Sequence, residues 1–255
     1  MRFSIITVCF NSAETIRKTF ESILAQSFLD YEYIVIDGAS SDGTVDIILE
    51  YEPKFQGRMR WISEPDKGIY DAMNKGIRLA KGDYINFMNS DDFFEDGALK
   101  VTAQTIARNP DADVCYGYVR IIPSMRVRRC TPEFLTYGPQ CHQGTFVARK
   151  VFERYGGFDM QYRLAADYEH SMRMRKNNLC FIPLDKIVAN YYLGGASTKQ
   201  REQTLAEINA IRIHYGVLKQ AEDEDSDQIL WKKLNARILN CVGMVLKILK
   251  RCIGK

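Results

Sequence analysis

Tyr33-Ile34-Val35-Ile36-Asp37-Gly38-Ala39-Ser40-Ser41-Asp42-Gly43-Thr44, residues 33–44, reads as a buried strand over Tyr33–Ile36, a polar strand-end turn at Asp37-Gly38, and a helix opening at Asp42-Gly43-Thr44. Val45, Ile47, Ile48 and Leu49 supply that helix with its apolar residues. Upstream, Phe3–Cys9 is a short β-rich run. It is followed by a helical pattern over Ala13–Gln26, in which Ile16, Phe20, Ile23 and Leu24 share a face and Ser12 is the expected N-cap. Downstream, Arg60–Ser63 predicts a third strand and Tyr70–Ala80 a helix closed by Gly82. Tyr84–Met88 predicts a fourth strand, ending at Asn89-Ser90-Asp91-Asp92. Strand and helix alternate, which predicts an α/β fold on a parallel sheet whose ligand crevice lies beyond the carboxyl ends of its strands. The polar clusters after strands one, two and four are therefore expected to meet.

The second half alternates less regularly. Val114–Ile121 and Met125–Arg129 read as strands around Pro123-Ser124, and Lys150–Tyr155, Asp167–Lys176 and Glu202–Tyr215 as helices. The acidic run 222–227 reads as a solvated linker or helix start. Beyond it, Trp231, Leu234, Ile238, Val242, Val245, Leu249 and Ile253 recur at helical spacing opposite Lys233, Arg237, Lys247 and Arg251. Such a cationic amphipathic helix suits the headgroup region of an anionic leaflet; packing onto the body of the protein or onto a second subunit is the competing reading. The expected organisation is one catalytic domain over residues 1–220, then a linker and basic amphipathic C-terminal helix over 221–255.

The 255 residues are 46% hydrophobic, enough for an ordinary globular core, which excludes disorder of the whole chain. A net charge of +3, with basic residues not interleaved with aromatics, argues against a nucleic-acid partner. Seven cysteines without a CxxC pair fit a reducing cytoplasm. No apolar stretch approaches the roughly 20 residues needed to cross a bilayer. The opening residues 1–10 read as a strand and not as a leader, because Asn11 and Ser12 interrupt the apolar run. The expected location is cytoplasmic, peripheral at the inner face of the membrane.

Adjacent carboxylates at a strand end suit a hard divalent cation that neutralises charge on a leaving diphosphate, although an ordinary polar turn uses the same residues. The context decides between them: Thr7–Asn11, Ile36–Thr44, Glu64-Pro65-Asp66-Lys67-Gly68-Ile69-Tyr70-Asp71-Ala72-Met73-Asn74-Lys75-Gly76, and Lys81–Tyr84. In this order and spacing they resemble family 2 of the inverting glycosyltransferases, over about Arg2 to Thr198. The resemblance implies the glycosyltransferase A fold, with a Rossmann-like, mostly parallel central sheet and flanking helices. It implies that Thr7, Phe10, Asn11, Asp37 and Asp42 surround the nucleoside, with Asp37 accepting from uracil or ribose. Lys67, Gly68, Asp71 and Asn74 then approach ribose and diphosphate, and Asn89 and Ser90 join the donor site. Many relatives carry arginine where Met73 stands, so Lys67 or Lys75 would have to supply a phosphate contact. The relatives' metal motif usually begins with aspartate, whereas this chain has Asn89. Asp91 is therefore assigned the direct contact to Mg²⁺ or Mn²⁺, with Asp92 as a second or supporting ligand.

An inverting transfer needs a carboxylate to take the acceptor proton. Asp167, following Gly156-Gly157-Phe158-Asp159 as in the family, is the implied base, and helix N-cap is its competing role. Glu169 is the next carboxylate and could orient the acceptor. His142, in Cys141–Phe146, is placed by the resemblance near the donor sugar or acceptor, with a structural role equally open. The implied function is metal-dependent transfer of a hexose, from a UDP-hexose or similar donor, to a hydroxyl of a lipid-linked or polysaccharide acceptor. A non-catalytic sugar-nucleotide-binding domain of the same fold is the alternative.

Overall fold

The computed structural model describes residues 3–128, 141–195 and 199–218. Four strands, β1 (Phe3–Cys9), β2 (Tyr31–Asp37), β3 (Met59–Ser63) and β4 (Tyr84–Phe87), lie parallel in the order β3-β2-β1-β4. β1 and β2 are buried along their whole length, as strands covered on both faces must be. The covering comes from α1 (Ile16–Leu24), α2 (Thr44–Tyr51) and α3 (Ile69–Leu79), whose connections return the chain to the start of the next strand. Phe20 on α1 meets Tyr33 on β2, Tyr51 on α2 and Phe55, giving an aromatic core beneath the sheet. The register aligns Cys9, Asp37 and Ser63 at the carboxyl ends, so the loops that follow open on one edge.

The later strands make the sheet mixed. β5 (Phe93–Phe94) and α4 (Ala98–Arg108) precede β6 (Val114–Ile122), β7 (Arg126–Arg128) and β8 (Thr145–Ala148). After them come α5 (Arg149–Tyr155), α6 (Ala166–Lys176), β9 (Phe181–Tyr192) and α7 (Arg201–His214). The sheet continues β4-β8-β6-β9-β5, with β8 antiparallel to both neighbours, β9 parallel to β6, and β7 paired to β6. The parallel alternation read from the sequence thus holds for the first four strands, inside a mixed α/β sheet. β9 escapes a sequence reading because Pro183, Asp185 and Lys186 interrupt its apolar run; Asp185 sits at φ 47°, and the pairing with β6 shifts register. α1 begins at Ile16, with Thr15 as its N-cap. The Ser12 carbonyl accepts the Thr15 and Ile16 amides, while its hydroxyl turns to Ser90.

The chain divides into two units, Met1–Ile211 and Arg212–Lys255, and of the second only 212–218 are described. The acidic run, the basic amphipathic segment and the expected boundary at residue 220 lie outside the described residues, as does Arg129. Among the described residues no helix is long and apolar enough to cross a membrane.

α6 is buried on most sides, and His170 on it stacks on Phe152, ring centroids 4.9 Å apart and planes 4° from parallel. Burial pushes the imidazole from 6.5 down to about 3, and Nε2 has no hydrogen-bond partner among the described residues. A base whose folded pKa is depressed contributes stability that is present above pH 6.5 and lost as the pH falls toward 3. At pH 5 the loss amounts to about 2 kcal/mol. His170→Phe is expected to flatten the fall in melting temperature between pH 7.5 and 5, and an unchanged slope would assign the acid sensitivity elsewhere.

Candidate active site

The loop after β1 places Phe10 and Asn11 at the wall of a cleft of about 820 Å³. Asn11 sits at φ 48°, a left-handed conformation that asparagine tolerates, and its Oδ1 accepts the Ser41 amide at 3.0 Å. Phe10 is 63% exposed and presents its ring at the cleft wall. The other implied nucleoside contacts are turned to structural work. Asp37 is fully buried and accepts the Ser40 amide at 3.0 Å, the Ser40 hydroxyl at 2.5 Å and the Ser63 hydroxyl at 2.6 Å. Asp42 accepts the Ala13 amide at 3.0 Å and the Thr44 hydroxyl at 2.5 Å; these donors lower its pKa and pin the start of α2. Thr7 is buried between Tyr33 and the Met88 carbonyl. These three residues shape the cleft edge without reaching it. Asp66, which the sequence did not single out, does reach it. A Cβ on Gly38 would lie 2.6 Å from Asp66 Oδ2, so glycine at 38 makes room for that carboxylate.

The loop into α3 is self-braced. Asp66 Oδ1 accepts the Gly68 amide at 2.8 Å and Asp71 Oδ2 the Lys67 amide at 3.0 Å. Gly68 lines the cleft, Lys67 is exposed, and Asp71 serves the helix start. Asn74 clamps the backbone of Phe158. Its Nδ2 donates to the Phe158 carbonyl at 2.9 Å and its Oδ1 accepts the Phe158 amide at 2.8 Å, and a side chain at Gly157 would collide with it. Of the two phosphate substitutes considered for Met73, Lys75 is engaged elsewhere and Lys67 keeps an exposed side chain. Met73 is fully buried, and Lys75 is held by Glu64 at 2.9 Å and the Pro65 carbonyl at 2.8 Å.

After β4, Asn89, Ser90 and Asp91 line the cleft, with Ser90 Oγ 2.8 Å from Ser12 Oγ. Burial pushes the Asp91 carboxyl above its ordinary range. Asp92 turns inward. Only 1% exposed, it accepts the Gln143 amide at 2.7 Å and the Tyr192 backbone N–H at 3.0 Å, tying the loop to β9. Burial and the neighbouring Asp91 charge push it up to about 7. Of the two roles expected of Asp92, second or supporting ligand, its burial and its two hydrogen bonds fit the supporting one, and Asp91 is the carboxylate of the pair that lines the cleft.

Asp167 reaches the same cleft from α6. The N-cap of that helix is Ala165, so Asp167 is not the cap. Its Oδ1 accepts the Tyr70 hydroxyl at 2.8 Å and the Tyr168 amide at 2.9 Å, and its Oδ2 lies 3.8 Å from His142 Nδ1. Burial, then the Asp167 charge, pushes the Tyr70 phenol well above its ordinary value, so it stays a donor at neutral pH. Glu169 is buried and paired with Arg173, which removes it as an acceptor contact. Glu207 on α7 accepts the Leu164 and Ala165 amides at 2.8 and 3.0 Å, fixing the loop that delivers Asp167. Tyr70 and Glu207 carry no sequence signal of their own, since their partners are 97 and 43 or 42 residues away.

Residues 4–179 match the family described as Glycosyl transferase family 2. The chain belongs to that family. It is similar to a PGL/p-HBAD biosynthesis glycosyltransferase of Mycobacterium bovis (strain BCG / Pasteur 1173P2), 33% identical over 180 residues, 69% of this chain and 70% of the relative. S. aureus TarS 1–349 in complex with UDP-GlcNAc shares the fold at TM-score 0.69 and 19% identity, covering 84% of this chain and 67% of that one. A mannosyltransferase from Pyrobaculum calidifontis in complex with GDP-Man and Mn²⁺ does so at TM-score 0.68 and 19% identity, covering 84% and 64%. The protein is thus a family 2 glycosyltransferase with the glycosyltransferase A fold.

Proposed function

We propose that this glycosyltransferase transfers a hexose, with inversion, from a nucleoside diphosphate sugar such as a UDP-hexose to a hydroxyl of a lipid-linked or polysaccharide acceptor. The observation that carries the reading is Asp167, a carboxylate on the cleft wall whose orientation is fixed by Tyr70 OH and the Tyr168 amide. Neither donor cancels its charge. In the step assigned to it, the acceptor oxygen bonds to the anomeric carbon as that carbon's bond to the diphosphate oxygen breaks. The electron pair leaves with the diphosphate, and the acceptor proton passes to Asp167. Phe10 offers its exposed face for stacking on the nucleobase, and Asn11 and Asp66 flank it with polar atoms. About 820 Å³ accommodates a donor and part of an acceptor together.

The residues present fit a divalent cation. Asp91 is a carboxylate destabilised by burial, and Asn89 Oδ1 beside it is a buried oxygen without a partner among the described residues. One carboxylate and an amide oxygen suit Mg²⁺ or Mn²⁺, which share their coordination with donor phosphates and water. The ion would supply neutralisation of the leaving diphosphate. Support for the donor class comes from the two solved structures of this fold, bound to UDP-GlcNAc and to GDP-Man with Mn²⁺.

The test is a panel of UDP-, GDP- and dTDP-hexoses, scored for binding and for hydrolysis with and without Mg²⁺ or Mn²⁺. One nucleotide class should bind at least about tenfold tighter than the rest, a difference of about 1.4 kcal/mol, and turn over only with metal. Equal activity in chelator would remove the metal from the reading. The lipid-linked acceptor draws on the basic amphipathic sequence beyond Asp227. Deleting residues after Asp227 should abolish co-sedimentation with anionic vesicles, and undiminished sedimentation would place the membrane contact elsewhere.

A further inference from the structure

Asn89, His142 and Asp167 stand in a row along the cleft wall. Asn89 Nδ2 lies 3.1 Å from His142 Nε2, and Nδ1 of the same ring lies 3.8 Å from Asp167 Oδ2. We propose that His142 is a positioning residue for Asp167, and that Asn89 selects the imidazole tautomer that makes it one. The inference rests on Asp167 being the base.

The chemistry follows from what each atom can give. An amide nitrogen only donates, so the His142 nitrogen facing Asn89 Nδ2 must present its lone pair. In a neutral ring the single proton then sits on Nδ1, the nitrogen turned toward Asp167. Tyr70 OH and the Tyr168 amide hold Oδ1, and the ring N–H faces Oδ2, so both oxygens of the carboxylate have a donor directed at them. At 3.8 Å the ring contact is longer than a hydrogen bond, which is common before substrate closes a catalytic site. A lysine or arginine in that place would orient the carboxylate but weaken it as a base, because a cation favours the ionised form. A neutral N–H orients it at a smaller cost in basicity. Aspartate at position 89 could only accept, and with Asp167 on the other side of the ring it would favour the doubly protonated, cationic imidazole over the neutral Nδ1–H form. The asparagine is therefore functional at this position, independently of any ligand its Oδ1 takes. Asn86 Nδ2, donating to the His142, Gln143 and Thr145 carbonyls at 3.2, 3.0 and 2.8 Å, holds the turn that carries the ring.

The test has a spectroscopic and a kinetic arm, both on the full chain. The chain has three histidines, and ¹⁵N-histidine labelling with long-range proton–nitrogen correlation at pH 8 reads each ring's tautomer. His142, assigned by its loss in His142→Ala, should carry its proton on Nδ1, against the usual preference of a free histidine side chain for Nε2. A proton on Nε2 overturns the inference, and where His142→Ala does not fold, loss of the signal in His142→Asn makes the same assignment. In kinetics with saturating donor and acceptor, His142→Ala should lower kcat by about 10–100-fold, less than loss of the base itself. His142→Asn, whose amide nitrogen stands near the place of Nδ1, should restore most of it, with donor Kd within about twofold for both. Wild-type kcat in His142→Ala, or a rise in donor Kd that accounts for the whole loss, overturns the positioning role. Failure of the base reading looks different, since it would appear as an active Asp167→Asn enzyme while the wild-type His142 ring still carries its proton on Nδ1.

Discussion

Asp167→Asn is expected to lower turnover by about 10²–10⁴-fold while donor affinity stays within about twofold of wild type. A base takes the proton only as the glycosidic bond forms, so its loss removes an interaction made in the transition state and not in the donor complex. Asparagine keeps the size of the side chain. Its Oδ1 can still accept the Tyr70 hydroxyl and the Tyr168 amide, so the packing of α6 against α3 through this pair survives. What changes is the atom facing His142, where an N–H replaces a carboxylate oxygen. The ring must then turn or change tautomer, which adds to the kinetic loss without touching the nucleotide. Steady-state turnover at saturating acceptor, donor affinity by calorimetry and a thermal melt separate the outcomes. A folded Asp167→Asn enzyme with near-normal turnover would falsify the assignment.

Asp91→Asn is expected to abolish metal-dependent transfer, a loss of about 10²-fold or more, consistent with the several kcal/mol a cation contributes to a leaving diphosphate. The same substitution should leave the melting temperature unchanged or slightly higher. Burial pushes the Asp91 carboxyl up, which means the ionised form is held in the folded protein at a cost that a neutral amide does not carry. Donor affinity should fall only in the presence of Mg²⁺ or Mn²⁺. A lower melting temperature with metal-dependent turnover intact would make Asp91 a structural carboxylate. Asp92 provides the contrast: Asp92→Asn can keep one acceptor for Gln143 or Tyr192 but loses the other, so its effect belongs in stability.

The parallel half of the sheet is legible in the order of residues alone, because strands buried on both faces are near-continuous apolar runs and their end turns are rich in Asp, Gly and Ser. The sequence also determined the family, since the ordered stretches from Thr7 to Asp159 are local and survive without coordinates. The same locality made polar residues at strand ends look alike. The resemblance places Thr7, Asp37, Asp42, Asp71, Asn74 and Asp92 at or near the donor site, and in the folded chain each also hydrogen-bonds within a strand end, a helix start or a loop. A carboxylate that braces backbone amides and one that faces a cleft differ only in what lies opposite. That is decided by chain segments far away in sequence: Ser63 for Asp37, Phe158 for Asn74, Tyr192 for Asp92. Tertiary structure alone brought Tyr70 to Asp167, set His142 between Asn89 and Asp167, and opened Gly38 to Asp66. Those are through-space pairings between elements separated by tens of residues. Periodicity and propensity describe how one element meets its own neighbours, so they carry no information about which side chains the closed sheet will set face to face.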